Sequence, residues 1–135
     1  MRSVGVLAVG HVCSTKSYNL PKPIKIIIHA VGLQCQKGTV TASKEEVGYY
    51  RWILREILKE ACRMNAHSLS LPLLSSGEFG FPMKEGADIT MEELANFSMQ
   101  KEMRSLKLIR VITKNTDVHK CLQNAYKAWQ SQLVC

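Results

Sequence analysis

The run Pro72-Leu73-Leu74-Ser75-Ser76-Gly77-Glu78-Phe79-Gly80-Phe81-Pro82 gathers the groups in this sequence best suited to hold a phosphate. Small residues let a backbone come close to a bound group, and glycine permits a positive φ. Successive N–H groups in such a turn form a nest for anionic oxygens, to which Ser75 and Ser76 would add hydroxyl donors. Phe79 and Phe81 would wall a pocket or fill the core beneath it. The residues alone are also satisfied by a tight connection with two buried aromatics. The spacing is neither a Walker loop nor a G-x-G-x-x-G turn.

Other reactive side chains form no recognisable constellation. The five cysteines, Cys13, Cys35, Cys62, Cys121 and Cys135, contain no C-x-x-C pair, and the four histidines lack zinc-ligand spacing, so neither metal nor cofactor is expected. Most of these thiols read as small core hydrophobes in a reducing compartment. His29 interrupts an apolar run and reads as a satisfied structural histidine. Asp88, Glu92 and Glu93 read as the solvated start of a helix, favoured by its dipole.

The elements that would position the serine–glycine turn alternate between strand and helix, the pattern of an α/β layer fold. Residues 4–9 and 10–15 are strand-like. Asn19-Leu20-Pro21-Lys22-Pro23 is a turn with two prolines. Residues 24–31 form a β-branched run suited to a strand buried on both faces, and 32–42 are a loop. Ser43-Lys44-Glu45-Glu46 fits a capping box. The helix after it sets Val47, Tyr50, Leu54, Ile57, Leu58 and Ala61 on one stripe. Residues 68–74 are a strand and 75–82 a loop. A second capping box, Thr90-Met91-Glu92-Glu93, is expected to start the next helix. Residues 106–113 are a strand. Asn115, Thr116 or Asp117 would cap a last helix that buries Val118, Cys121, Leu122, Ala125 and Trp129. One sheet between helices is expected, with the serine–glycine loop beyond the carboxyl end of a strand, where ligands bind in open α/β sheets.

Composition fits that picture. The 135 residues suit one domain, and 46% are hydrophobic against 21% charged, a globular balance. No apolar run approaches the roughly 20 residues that span a bilayer, and no signal peptide is evident. A nuclear or cytoplasmic protein without membrane attachment is expected. The formal charge is +7, which serves solubility or a polyanionic partner. The basic residues are scattered and match no DNA-reading motif, so nucleic acid is not the expected partner.

Three blocks in register carry a family resemblance. The loop from Pro72 to Pro82 is similar to the macro-domain phosphate loop. Gly10-His11-Val12-Cys13-Ser14-Thr15-Lys16-Ser17-Tyr18-Asn19-Leu20-Pro21 resembles the family block ending in Asn-Leu-Pro. Ile26-Ile27-Ile28-His29-Ala30-Val31-Gly32 resembles its hydrophobic-Ile-His-x-Val-Gly strand. The likeness covers residues 10–135 of a single domain, 1–135, and is to macro domains of poly-ADP-ribose polymerase-type proteins. It implies a three-layer αβα fold with a mixed sheet that binds ADP-ribose, free or on mono- or poly-ADP-ribosylated proteins. Carried over, Ser75, Ser76, Gly77, Glu78, Phe79 and Gly80 would hold the diphosphate. Ala30, Val31 and Gly32 would line the distal side, and Thr113 and Asn115 would flank adenine or its ribose. His29 is structural in the family.

The chain departs from the family in three places. Only residues 1–9 precede the matching block, where the family has two strands, a helix, an acidic adenine contact and the loop tied to hydrolysis. One of the absent strands lies inside the sheet, between those matching 24–31 and 68–74. A bare slot would orphan backbone groups at roughly 1–3 kcal/mol each. The sheet should therefore rearrange, or a homodimer should form through an exposed edge at residues 2–9. Glu78 stands where the family has Ile or Val, which sets a carboxylate beside the diphosphate unless a cation such as Lys84 meets it. Leu33 replaces a proline. Three functions follow: a weakened ADP-ribose reader, a pseudo-domain serving interaction or dimerisation, and an ADP-ribosyl hydrolase. The last lacks its loop, so the expectation is no enzyme activity.

Overall fold

The computed structural model describes residues 12–16, 20, 24–31, 41–74, 80–99 and 105–134. In chain order the elements are β1 (Val12–Lys16), β2 (Ile26–Ala30), α1 (Lys44–Arg63), β3 (Ser68–Leu71), α2 (Met83–Ser98), β4 (Leu108–Val111) and α3 (Thr116–Val134). Ser75, Ser76, Gly77, Glu78 and Phe79, Gly32, and the segment 1–9 lie outside the described residues.

The helix α1 begins as its sequence dictates. Ser43 Oγ accepts from the Glu46 amide at 3.1 Å, and the Ser43 amide donates to Glu46 Oε1 at 2.9 Å. Two orphan donors are thereby satisfied reciprocally. The C-terminus closes without glycine. Asn65 takes φ 57°, while the amides of Asn65 and Ala66 donate to the carbonyls of Cys62 and Ala61, both at 3.0 Å. This is the Schellman pattern with asparagine in the left-handed position. Between these caps the helix buries Tyr50, Ile53, Leu54, Ile57, Leu58, Ala61 and Cys62.

The next helix departs from the expected start. α2 begins at Met83 rather than at Thr90, with Pro82 at its N-cap and the Gly86 amide donating to the Pro82 carbonyl at 2.9 Å. Gly86 lies inside this helix although glycine is a poor helix former. It is kept because a Cβ there would lie 3.2 Å from Tyr50 Oη and 3.4 Å from Phe81. Thr90 and Glu93 consequently sit mid-helix and buried, instead of forming a solvated first turn. Asp88 and Glu92 are exposed on the same helix.

Glu93 is held by ion pairs. Arg51 Nη1 lies 3.0 Å from its Oε1, and Arg55 donates to both carboxylate oxygens at 3.0 Å. Arg51 also reaches Glu92 at 3.3 Å. The Arg51 and Arg55 spacing of one helical turn lets both cations meet one carboxylate, which locks α1 to α2. Burial pushes the Glu93 carboxyl upward, but hydrogen bonds from Arg55 and Arg51 outweigh it and the net shift is downward.

Among the described residues the strands form two ladders. β1 pairs antiparallel with β2, with Ser14 opposite Ile28, and β3 pairs parallel with β4, with Ser70 opposite Arg110. Both pairings are present in a mixed arrangement, yet no ladder between described residues joins β2 to β3. The single sheet expected from the sequence is therefore not seen among these residues. Leu69, Leu71, Ile109 and Val111 pack toward the helices, whereas Ser68, Ser70, Leu108 and Arg110 are exposed on the other face. The period-2 alternation of a half-buried sheet is therefore present in β3 and β4.

α3 is capped by Asn115, whose Oδ1 accepts from the amides of Asp117 and Val118 at 2.8 and 3.1 Å. It buries Val118, Leu122 and Ala125 against Leu73 and Ala87. Trp129 remains half-buried and stacks obliquely on Tyr126, ring centroids 5.8 Å apart, rather than joining the core as expected.

Candidate functional site

The parallel strands β3 and β4 deliver their carboxyl ends side by side. Pro72 and Leu73 follow one, Ile112, Thr113 and Lys114 the other, and the Ile112 amide donates to the Leu71 carbonyl at 2.9 Å. A cleft of about 390 Å³ is lined by these five residues. On the other side, a cleft of about 370 Å³ runs along α3, lined by residues that include Ile112, Thr113, His119 and Tyr126. Ligands gather at such strand ends in open α/β sheets, and mostly apolar clefts with a few polar groups suit a flat organic ligand.

Both flanks of the serine–glycine loop are tied to Tyr50. The Tyr50 hydroxyl donates to the Leu74 carbonyl at 2.9 Å just before the loop. Just after it, Phe81 packs against the Tyr50 ring with centroids 4.3 Å apart. Gly80 adopts φ 70°, which a residue with a side chain takes only with strain. Phe81 fills the core, which settles one of the two aromatics in the sequence reading. Glu85, in the first turn of α2, accepts from the Ala42 amide at 3.1 Å and fastens the end of the segment before α1 to the same region.

Burial pushes the Tyr50 phenol up to about 12, against the lowering influence of Thr90 and the Leu74 carbonyl. The neutral phenol therefore remains the donor at physiological pH. Because the folded value is raised, the contribution is intact below the unfolded value of 10.0 and is lost as pH rises from there through about 12. Tyr50→Phe leaves the Leu74 carbonyl without this donor. It should lower unfolding free energy by about 1–2 kcal/mol in a denaturant titration and loosen the loop entrance.

Of the residues expected at the site, Thr113 lines both clefts. Its Oγ1 also accepts from the Asn115 amide at 3.0 Å. Asn115 lines neither cleft, because its side chain caps α3. Ala30 ends β2 opposite Val12, and Val31 is half-buried next to it; neither lines either of these two clefts. His29 meets Thr15 Oγ1 at 2.8 Å across the β1–β2 ladder, a diagonal cross-strand contact consistent with a structural histidine. Lys84 is exposed on the first turn of α2. Sequence reasoning missed Ile112, Lys114, His119 and Tyr126. The signal available for the first two was their position beside Thr113 at a strand end.

Comparison with known proteins places this architecture. A model of the macro domain matches residues 1–90, two-thirds of the chain and including the segment before Gly10. The chain belongs to the macro-domain family. Mouse protein mono-ADP-ribosyltransferase PARP9 is 31% identical over 103 residues, covering 75% of this chain and 11% of PARP9. An uncharacterised protein of Fusobacterium nucleatum is 33% identical over 109 residues, covering 80% of this chain and 58% of that protein. This macro domain thus matches only part of each relative's length. In solved structures, a mutant Oceanobacillus iheyensis macrodomain superposes with a TM-score of 0.79 at 22% identity, over 93% of this chain and 60% of that one. A second mutant of that macrodomain, solved with ADPR, gives 0.78 at 22% identity over 93% and 62%. These establish the α/β macro fold.

Proposed function

We propose that this macro domain is a binding module for ADP-ribose, free or attached to protein, with weakened affinity. The observation that carries the reading is the set of clefts at the β3 and β4 strand ends, next to a serine–glycine loop anchored at both flanks by Tyr50. The family match and the ADPR-bound neighbour support the ligand class. In this reading the amides of Ser75, Ser76, Gly77, Glu78 and Phe79 cup the diphosphate, and Thr113 and Lys114 face the adenosine half. Glu78 would set a like charge beside the diphosphate and so weaken the binding. Binding without turnover is the function, because hydrolysis needs a positioned water and charge stabilisation at the anomeric carbon.

Thermal denaturation with ADP-ribose, ADP and AMP tests this reading. Ligand binding to the folded state at about 100 times its Kd adds about 2.7 kcal/mol. ADP-ribose should raise Tm most, ADP less, and AMP least. Equal responses to all three would refute a diphosphate-centred site. Release of ADP-ribose from a modified protein would refute binding without turnover.

A further inference from the structure

The outward stripe of α1 is lined by aromatic and charged side chains. Glu45, Tyr49, Trp52, Glu56, Lys59 and Arg63 follow one another at alternating spacings of four and three residues. That period keeps a stripe in line along a neighbouring helix packed at a shallow angle. Tyr49 and Trp52 are 53% and 51% exposed, and Glu45, Lys59 and Arg63 are exposed around them. Lys59 Nζ stands 5.9 Å from the Trp52 ring centre and 3.7 Å from Glu56. Gly48 lies beside the same stripe, exposed in a helix interior, and a Cβ there would meet nothing within 4 Å. Glycine weakens a helix, and among the described residues no close approach at Gly48 explains its presence.

The two ends of this stripe carry opposite charges, Glu45 at one and Arg63 at the other, where Arg63 also pairs with Glu60 of its own helix at 2.6 and 2.8 Å. A two-fold axis at the level of Leu54 would set a second α1 antiparallel to the first. Glu45 then faces the partner's Arg63, Tyr49 faces the partner's Lys59, and Trp52 faces the partner's Glu56. Each pairing occurs twice, as isologous contact requires. The cation–aromatic contact already made within α1 by Lys59 and Trp52 is repeated across the interface by Lys59 and Tyr49. Gly48 leaves room for the partner's backbone next to the aromatic pair. We propose that the exposed face of α1 is a homodimer interface in which two copies of this chain pack α1 against α1 in antiparallel register. No residue of this stripe lines the strand-end clefts, so the proposal stands or falls independently of nucleotide binding.

The net charge of +7 on each chain opposes association. The test is therefore made at physiological ionic strength, where the screening length is about 8 Å. Sedimentation equilibrium of the full chain over a concentration series should show a reversible monomer–dimer equilibrium. Arg63→Glu should raise the dimer dissociation constant about tenfold or more, since it sets Glu45 against a like charge. It also lowers the net positive charge, which by itself would favour association, and breaks the Arg63–Glu60 pair within α1, so the interface contact is read from the charge-swapped rescue. Glu45→Lys combined with Arg63→Glu restores both the opposite-charge pairing and the parent net charge, and should recover the parent dissociation constant. Gly48→Gln should abolish the dimer while leaving Tm unchanged or raised, because glutamine is the better helix former. A monomer at every concentration, or a charge-swapped double variant no better than Arg63→Glu alone, would overturn the proposal.

Discussion

Glu93→Ala is expected to lower unfolding free energy by about 2–4 kcal/mol. The substitution removes the carboxylate that Arg51 and Arg55 share and leaves the half-buried Arg51 guanidinium without it. Breaking a fully buried pair by removing one partner costs about 3–5 kcal/mol. The effect here is smaller because Arg55 can turn to water, its side chain being 57% exposed, while Glu93 itself is 4% exposed. Thermal and urea denaturation at neutral pH would measure the loss, and a change below about 0.5 kcal/mol would show that the cluster holds nothing together. The pH dependence provides a second reading. The folded carboxyl lies below its ordinary 4.5. Its stabilising effect is therefore fully present above that value and is lost as pH falls through the lower folded value. Glu93→Gln should remove this part of the acid sensitivity and flatten the stability profile below pH 4.5, leaving the profile above it unchanged.

Gly80→Val should weaken ADP-ribose binding about tenfold or more. The backbone at Gly80 takes φ 70°, a region in which a β-branched residue is strained by roughly 1–3 kcal/mol. Gly80 joins the proposed diphosphate loop to Phe81, whose ring is fixed against Tyr50. Relief of strain at Gly80 must come from the loop side, where the amides would lose their shared aim. Gly80→Ala should have a milder effect in the same direction. Titration calorimetry well below the Tm of each variant separates a lost site from a lost fold. Undiminished binding by the valine variant would show that the loop's geometry does not depend on this residue.

The parts of this fold legible in the sequence were those set by local chemistry. Ser43 and Glu46 announced the start of α1 because a capping box needs only four consecutive residues. Asn115 was among the expected caps of α3 for the same reason. The stripe from Tyr50 to Ala61 was legible because a helical period carries through twenty residues. What stayed hidden depended on contacts far along the chain. Thr90, Met91, Glu92 and Glu93 have the residue types of a capping box, but Gly86 is accommodated by Tyr50 and Phe81 from elsewhere, so α2 starts earlier. Glu93 looked solvated because nothing near it in sequence announces Arg51 and Arg55. Asn65 closed α1 without the glycine that would have marked it.

The candidate site was legible in the same uneven way. Thr113 was placed at a strand end that opens into two clefts, whereas the serine–glycine run at 75–79 lies outside the described residues. Asn115 was assigned both a cap and a ligand contact, and its side chain is occupied by the cap. His119 and Tyr126 line a cleft only because α3 runs back beside β4, which no local pattern announces. Among the described residues β2 and β3 share no ladder, an arrangement that the strand patterns taken one at a time do not announce.

Titration of this chain with ADP-ribose by calorimetry tests the central claim most directly. The account predicts saturable binding at one site per chain, weakened by ADP present as a competitor and strengthened in Glu78→Ile, where the carboxylate facing the diphosphate is gone. No heat of binding at millimolar ADP-ribose, in both the parent chain and Glu78→Ile, would contradict it.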